Sequence, residues 1–261
     1  METRPCALAG MFYPGEPSHL EQFLEKVTPR ERPAPDALGI VSPHAGYPYS
    51  GAVAARAFSA IRPDFDGTFV VIGPSHRGFL TCTSAIPWET PLGVVDVDTE
   101  FVRALDIRVD EVSMEDENSL EVQIPFIKHF FPRAQIAPIM MGDQSIASAE
   151  LVAGKIIRAV KATGREVRIV ASSDFSHYIP DSMARKRDAM AIEAIVNLDV
   201  DELYRRIEEY DISACGYGPI AAMITACKKF GATEGRLLSY ATSGDVTGDP
   251  DVVGYAAIMV V

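Results

Sequence analysis

The chain has 261 residues, 48% of them hydrophobic and 8% aromatic, enough to bury a large core. With 24 Lys and Arg against 36 Asp and Glu its net charge is −12, a field that repels phosphate backbones and anionic membranes and argues against nucleic-acid binding. No run of about 18 apolar residues offers a membrane span, and the start Met1-Glu2-Thr3-Arg4-Pro5 lacks the apolar stretch of a secretory signal.

The first predicted element is a helix opened by Ser18-His19-Leu20-Glu21, which has the spacing of a capping box, and running to about Val27. Residues 28–36, with three prolines, read as a loop. Leu38-Gly39-Ile40-Val41 is a short apolar run followed by Ser42-Pro43-His44-Ala45-Gly46, and a helix is expected over 52–61. Thr68-Phe69-Val70-Val71-Ile72 is a second run, followed by Gly73-Pro74-Ser75-His76-Arg77-Gly78. Residues 114–121 are acidic; they read as a solvated loop and helix start, where acids suit the dipole, with a carboxylate offered to a metal as the second reading. The helix expected over 117–131 carries Leu120, Ile124 and Ile127, and Pro125 should bend or break it.

A strand over 136–140 precedes a helix over 146–163 with Leu151, Val152, Ile156 and Val160 near one face and Gly164 as C-cap. Val167-Arg168-Ile169-Val170-Ala171 is a third run, followed by Ser172-Ser173-Asp174-Phe175-Ser176-His177. Helices are expected over 181–197, 199–210 (with Asp199 and Glu202 as a capping pair) and about 219–230, ending at Gly231. Arg185, Lys186 and Arg187 read as a solvated helix face. Strands over 237–240 and 252–261 close the chain. Strands alternating with helices predict an α/β fold with a substantially parallel sheet, and no linker divides it.

Three of the five histidines, His44, His76 and His177, stand just past predicted strands. Open α/β sheets bind ligands outside the carboxyl ends of their strands, so the three are expected on one edge. Glycine follows His44 and His76 within two positions, allowing close backbone approach or positive φ. Asp174 is placed to orient an imidazole or to take part in proton transfer, or else to serve as a turn or cap residue. His19 and His129 are expected on the surface, His129 near a helix C-terminus. Cys6, Cys82, Cys215 and Cys227 lie far apart with no CxxC pair, which predicts no disulfide framework and fits a reducing cytoplasm. Cys215 precedes a helix in a glycine-rich turn, where a lowered pKa would favour the thiolate; taken alone, a cysteine there more often serves as a small buried residue.

His44-Ala45-Gly46-Tyr47 with Tyr49-Ser50-Gly51, Gly73-Pro74-Ser75-His76, Ser172-Ser173-Asp174-Phe175-Ser176-His177, and Cys215-Gly216 with Pro219 resemble, in order, the motifs of the Memo family. Ala9-Gly10-Met11-Phe12-Tyr13-Pro14 near the start, and Thr242-Ser243-Gly244-Asp245-Val246-Thr247-Gly248-Asp249 with Val253-Gly254-Tyr255 near the end, are also similar to its microbial members. The resemblance implies one domain over residues 1–261, three-layer α/β/α with a mostly parallel or mixed sheet, similar to the LigB-like extradiol ring-cleaving dioxygenases. Those enzymes hold Fe(II) with two His and a carboxylate. By that similarity His44, His76 and Cys215 are the metal ligands, a Cys replacing the carboxylate, while His177, with Asp174 beside it, is the acid/base.

Two departures bear on the chemistry. A thiolate softens the site toward copper, zinc or thiolate-ligated iron, which weighs against ring cleavage. Where many relatives read Glu-His-Ser, this chain has Glu117-Asn118-Ser119, and an amide cannot titrate near neutrality. The implied function is a non-heme Fe(II)- or copper-dependent redox enzyme acting on a small molecule. The alternatives are a non-catalytic metal-binding or adaptor protein, a zinc hydrolase, and a glutaminase-like Cys215 nucleophile. The resemblance also suggests a radical-SAM protein as a partner.

Overall fold

Four buried apolar runs make the parallel centre of the sheet. In the computed structural model, which describes residues 2–31, 33–34 and 36–261, they are β1 (Gly39–Ser42), β2 (Thr68–Pro74), β4 (Gln135–Met141) and β5 (Val167–Ser172). β1, β2 and β5 bury every residue, as strands covered on both faces must. Antiparallel strands flank them: β3 (Cys82–Thr83) on β4, β8 (Asp251–Val260) on β1, and β6 (His177–Pro180) and β7 (Gly235–Thr242) on β8. The order is β3-β4-β2-β5-β1-β8-β6, with β7 also on β8. Ser42 lies opposite Ser172, and Ile72 opposite Ala171. The carboxyl ends of β1, β2 and β5 are therefore nearly level, and the segments leaving these strands share one edge.

Helices cover both faces. On one, α2 (Tyr47–Phe58) lies on β1 and β8, with α1 (Pro17–Val27) and α6 (Ile124–Phe130) against it and α5 (Asn118–Glu121) on β2. On the other, α10 (Tyr217–Lys229) lies on β1, β2 and β5 beside α7 (Ile146–Thr163) and α9 (Val200–Glu209); α3 (Thr99–Leu105) packs on α7 and α8 (Asp181–Val196) on α9. Two one-turn helices, α4 (Glu111–Met114) and α11 (Gly244–Thr247), sit in connections. This is the three-layer α/β/α arrangement with a mixed sheet. α10 comes so close to β1 that a Cβ on Gly39 would stand 2.8 Å from Cys227 Sγ. No helix among the described residues is long and apolar enough to cross a membrane.

Helix starts differ from the sequence reading where prolines sit. α1 begins at Pro17, and Glu16 makes no side-chain cap, so Ser18 and Glu21 lie inside the helix and the capping box does not form. Proline's fixed φ and missing N–H suit the first turn and set the boundary instead. α2 likewise starts at Tyr47, with Pro48 in its first turn, rather than at residue 52, and ends at Phe58. The stretch 117–131 breaks into α5 and α6, with Pro125 opening the second. α7 ends where Gly164 takes φ 67°. Its Leu151 is exposed, however, and its inward face is Val152 and Ile156 among alanines.

His129 is half-buried edge-on to Phe130, and burial lowers its pKa, so the expected surface cation is disfavoured. The loop reading of 28–36 holds at its described positions; Arg32 and Pro35 lie outside them, as does Met1.

Candidate metal centre

His44, His76 and Cys215 come together although 171 residues separate the first from the last. Each follows a strand or precedes a helix at the same edge. β1 ends at Ser42 and delivers His44; β2 ends at Pro74 and delivers His76; Cys215 stands in the turn before α10. One ligand atom from each lies within 4.8 Å of the others, and Cys215 Sγ is 3.2 Å from His44 Nε2. The two imidazoles meet edge to face, with centroids 5.2 Å apart. The Cys215 turn is pressed on β5: a Cβ on Gly216 would lie 2.3 Å from the Ser172 carbonyl oxygen. Only glycine permits that approach. Gly46, by contrast, has φ −55° and uses no special conformation, whereas Gly78 takes φ 72°.

Each ring is held from behind through Nδ1. His76 Nδ1–H donates to Glu117 Oε1 at 2.7 Å, and its backbone N–H donates to Oε2 at 2.9 Å. A carboxylate only accepts, so the proton sits on Nδ1 and Nε2 is the nitrogen left for a ligand. His44 Nδ1 meets Ser172 Oγ at 2.9 Å; that hydroxyl also accepts from Gln123 Nε2 at 2.8 Å. Burial pushes the His44 pKa down to about 4, so the ring is neutral and ready to ligate. His76 goes the other way, raised by its hydrogen bond to Glu117. For Glu117, burial pulls the pKa up, but the His76 and Ser119 hydrogen bonds outweigh it and the net shift is down.

Of the two readings of Cys215, burial outweighs the helix N-terminus. Burial, with the Asp174 carboxylate nearby, pushes its thiol well above the usual range. Asp174 N–H donates to Sγ at 3.2 Å, which is too little to ionise it. A metal cation would supply the missing positive charge. Bonds of about 2.0–2.3 Å put donors on one tetrahedral ion about 3.5 Å apart, so the cluster would contract by about 1 Å at its widest. In donor chemistry, tautomer and spacing the three residues fit a metal.

Asp174 is buried, and its carboxylate takes the His44 backbone N–H at 2.8 Å. Of the roles the sequence offers it, the structure shows it positioning a main-chain N–H, with no hydrogen bond to an imidazole among the described residues. His177 opens β6; its Nδ1 donates to the Ser213 carbonyl at 2.8 Å, which leaves Nε2 as the basic nitrogen. His44, His76, Asp174 and His177 all line one cavity of about 680 Å³, with Asn118.

The largest correction concerns the acidic stretch. Glu115 and Asp116 are exposed, but Glu117 is 3% and Glu121 1% exposed, so the stretch is not simply solvated. Glu117 supports His76 without itself joining the cluster. Ser172 and Gln123 were also missed. The four-residue spacing of Glu117, Glu121 and Pro125 beside Leu120 and Ile124 was the available hint that these acids share an inward face.

Fold and site define an α/β/α protein in which two imidazoles and a thiol converge over the carboxyl edge of a mainly parallel sheet. Over residues 4–259 the chain matches the family described as Memo-like protein. MEMO1 family proteins of Methanococcoides burtonii and Methanosarcina barkeri are 47% and 46% identical to it, each match covering 98% of this chain and 99% of the relative. One from Archaeoglobus fulgidus is 43% identical over 97% of both chains. The chain belongs to the Memo family.

Proposed function

We propose that His44, His76 and Cys215 hold one transition-metal ion, Fe(II) or copper, and that the protein is a dioxygenase-like redox enzyme acting on a small molecule in the cavity above it. The observation that carries this reading is the convergence of three donor atoms within 4.8 Å, each imidazole fixed from behind through Nδ1. The bound metal would supply a Lewis-acidic, redox-active centre with room for further ligands. Glu117 and Ser172 hold the rings so that Nε2 points to that centre. His177 Nε2 takes a proton from a substrate hydroxyl and returns it. Asp174 fixes the backbone of His44.

The 3.2 Å separation of Cys215 Sγ and His44 Nε2 also suits a thiol nucleophile with an imidazole base. Burial favours the neutral form of both partners, against the thiolate–imidazolium pair, and His76 has no part in that scheme.

The test is metal content by mass spectrometry after anaerobic purification, for wild type and for His44→Ala, His76→Ala and Cys215→Ser. Near-stoichiometric iron or copper, lost in all three variants, supports the proposal. Zinc lost in the same pattern moves the chemistry to hydrolysis. No metal after reconstitution overturns the ligand assignment and leaves Cys215 as a nucleophile, to be probed with iodoacetamide.

A further inference from the structure

Apart from its three histidines, the cavity over the candidate metal cluster is lined by charge of one sign. Asp174, Asp249 and Asp251 line it, and among the described residues no lysine or arginine does. Tyr49, Tyr178 and Tyr255 add aromatic rings to the wall. Asp249 and Asp251 are exposed and have no ion pair among the described residues, whereas Arg185, bound to α11 through Asp245, also pairs with Asp181.

Strand pairing and a backbone hydrogen bond hold this part of the cavity wall. Asp251 opens β8 and pairs with Pro180, and Asp181 N–H donates to the Pro250 carbonyl at 3.0 Å. Tyr178 sits where the β6–β8 register shifts, at φ 54°, and is 79% exposed. A bulge of this kind re-aims a side chain, and a bulky residue at positive φ is held there at a cost.

Even with a divalent ion bound, the field stays negative. The Cys215 thiolate cancels half the ion's charge and Asp174 the other half, leaving Asp249 and Asp251 uncompensated. An anionic ligand would enter against them and against a chain of net charge −12. An ammonium group would be attracted by the carboxylates and by the tyrosine faces together.

We propose that this pocket takes a small organic cation, an amine whose ammonium is held at the rim by Asp249 and Asp251 among the tyrosine rings while its other end reaches His177 and the His44–His76–Cys215 cluster. The inference rests on the cavity being the substrate site of the proposed metal enzyme. A cavity of about 680 Å³ suits a ligand of this size.

Three probes share a phenol ring and differ in the tail: tyramine carries a cation, 4-ethylphenol no charge, and 3-(4-hydroxyphenyl)propionate an anion. Their dissociation constants are measured by NMR titration on the full chain, metal-loaded and metal-free, for wild type and for the Asp249→Asn/Asp251→Asn double variant. Two exposed carboxylates, each contributing about two- to fivefold, should make tyramine bind about tenfold tighter than 4-ethylphenol at low salt, with the propionate weakest. In the double variant the preference should fall to about twofold or less while 4-ethylphenol is unaffected; raising the salt should do the same to wild type. A double Asp249→Lys/Asp251→Lys variant should reverse the order.

The inference is overturned if the propionate binds as well as tyramine, if the preference survives in the Asn variant, or if tyramine shows no binding at about 10 mM, beyond the weakest useful affinity. Metal content is read in the same samples. Loss of metal with the charge order intact removes the metal assignment alone; retained metal without the charge order removes this inference alone.

Discussion

Glu117 and Glu121 stand one helical turn apart at the two ends of α5, equally buried, and each carboxylate receives three donors. Glu121 takes Arg4 Nη1 at 2.8 Å, Leu8 N–H at 2.8 Å and the Tyr13 hydroxyl at 2.7 Å. Glu117 takes the His76 ring and backbone N–H and the Ser119 N–H. The difference lies in the cation. Arg4 is always charged, stacks 4.0 Å over Trp88 and ties the N-terminal segment down. His76 titrates, is 38% exposed, and has a second nitrogen free for other work. One carboxylate pairs with a permanent cation and its neighbour with a histidine of the candidate metal cluster, although the chain places both in one acidic stretch.

Mutation should separate the two. Glu121→Ala leaves Arg4 buried without its partner and should cost about 3–5 kcal/mol of stability in urea denaturation, while the folded protein keeps its metal. Glu117→Gln should reverse that pattern: a small loss of stability but metal affinity about 10- to 100-fold weaker by competition with a chelator. Equal destabilisation by both variants would abolish the distinction. Ser172→Ala removes the support of the other imidazole, a neutral hydrogen bond worth about 1 kcal/mol, so affinity should fall about fivefold, less than for Glu117→Gln.

The smallest effect is on pH dependence. In metal-free protein the raised pKa of His76 means its pairing with Glu117 adds stability that is fully present below the unfolded histidine value of 6.5 and lost as pH rises through the folded value. The lowered pKa of Glu117 sets the acid side: its contribution is present above the unfolded 4.5 and lost as pH falls through the folded value. Denaturation midpoints should therefore show a shallow maximum between about 4.5 and 6.5 from this pair, and Glu117→Gln should flatten it. A maximum that persists in the variant would assign it to other groups.

The apolar runs leading to His44 and His76 were readable because parallel strands buried on both faces leave an unbroken hydrophobic signature. The same rule placed both histidines on one edge. β6 was not readable: His177-Tyr178-Ile179-Pro180 is short, bulged and half-exposed, and its pairing with β8 is decided by residues 251–253. α2 was placed late because Tyr47-Pro48-Tyr49 looks like a turn until Pro48 is seen in a first helical turn.

By itself the sequence determined the α/β class, the parallel centre and the strand-end positions of His44, His76 and His177, since strand burial and strand-end position are local patterns; Cys215 joined His44 and His76 only through the family resemblance. Only the tertiary structure decided that Glu117 faces His76 and Glu121 faces Arg4, that Asp174 holds a backbone N–H, and that burial pushes the Cys215 thiol pKa up. These outcomes depend on which groups meet across 41 to 130 residues of chain and on how little water reaches them. The charge state of a side chain belongs to its surroundings, and the surroundings exist only in the folded molecule.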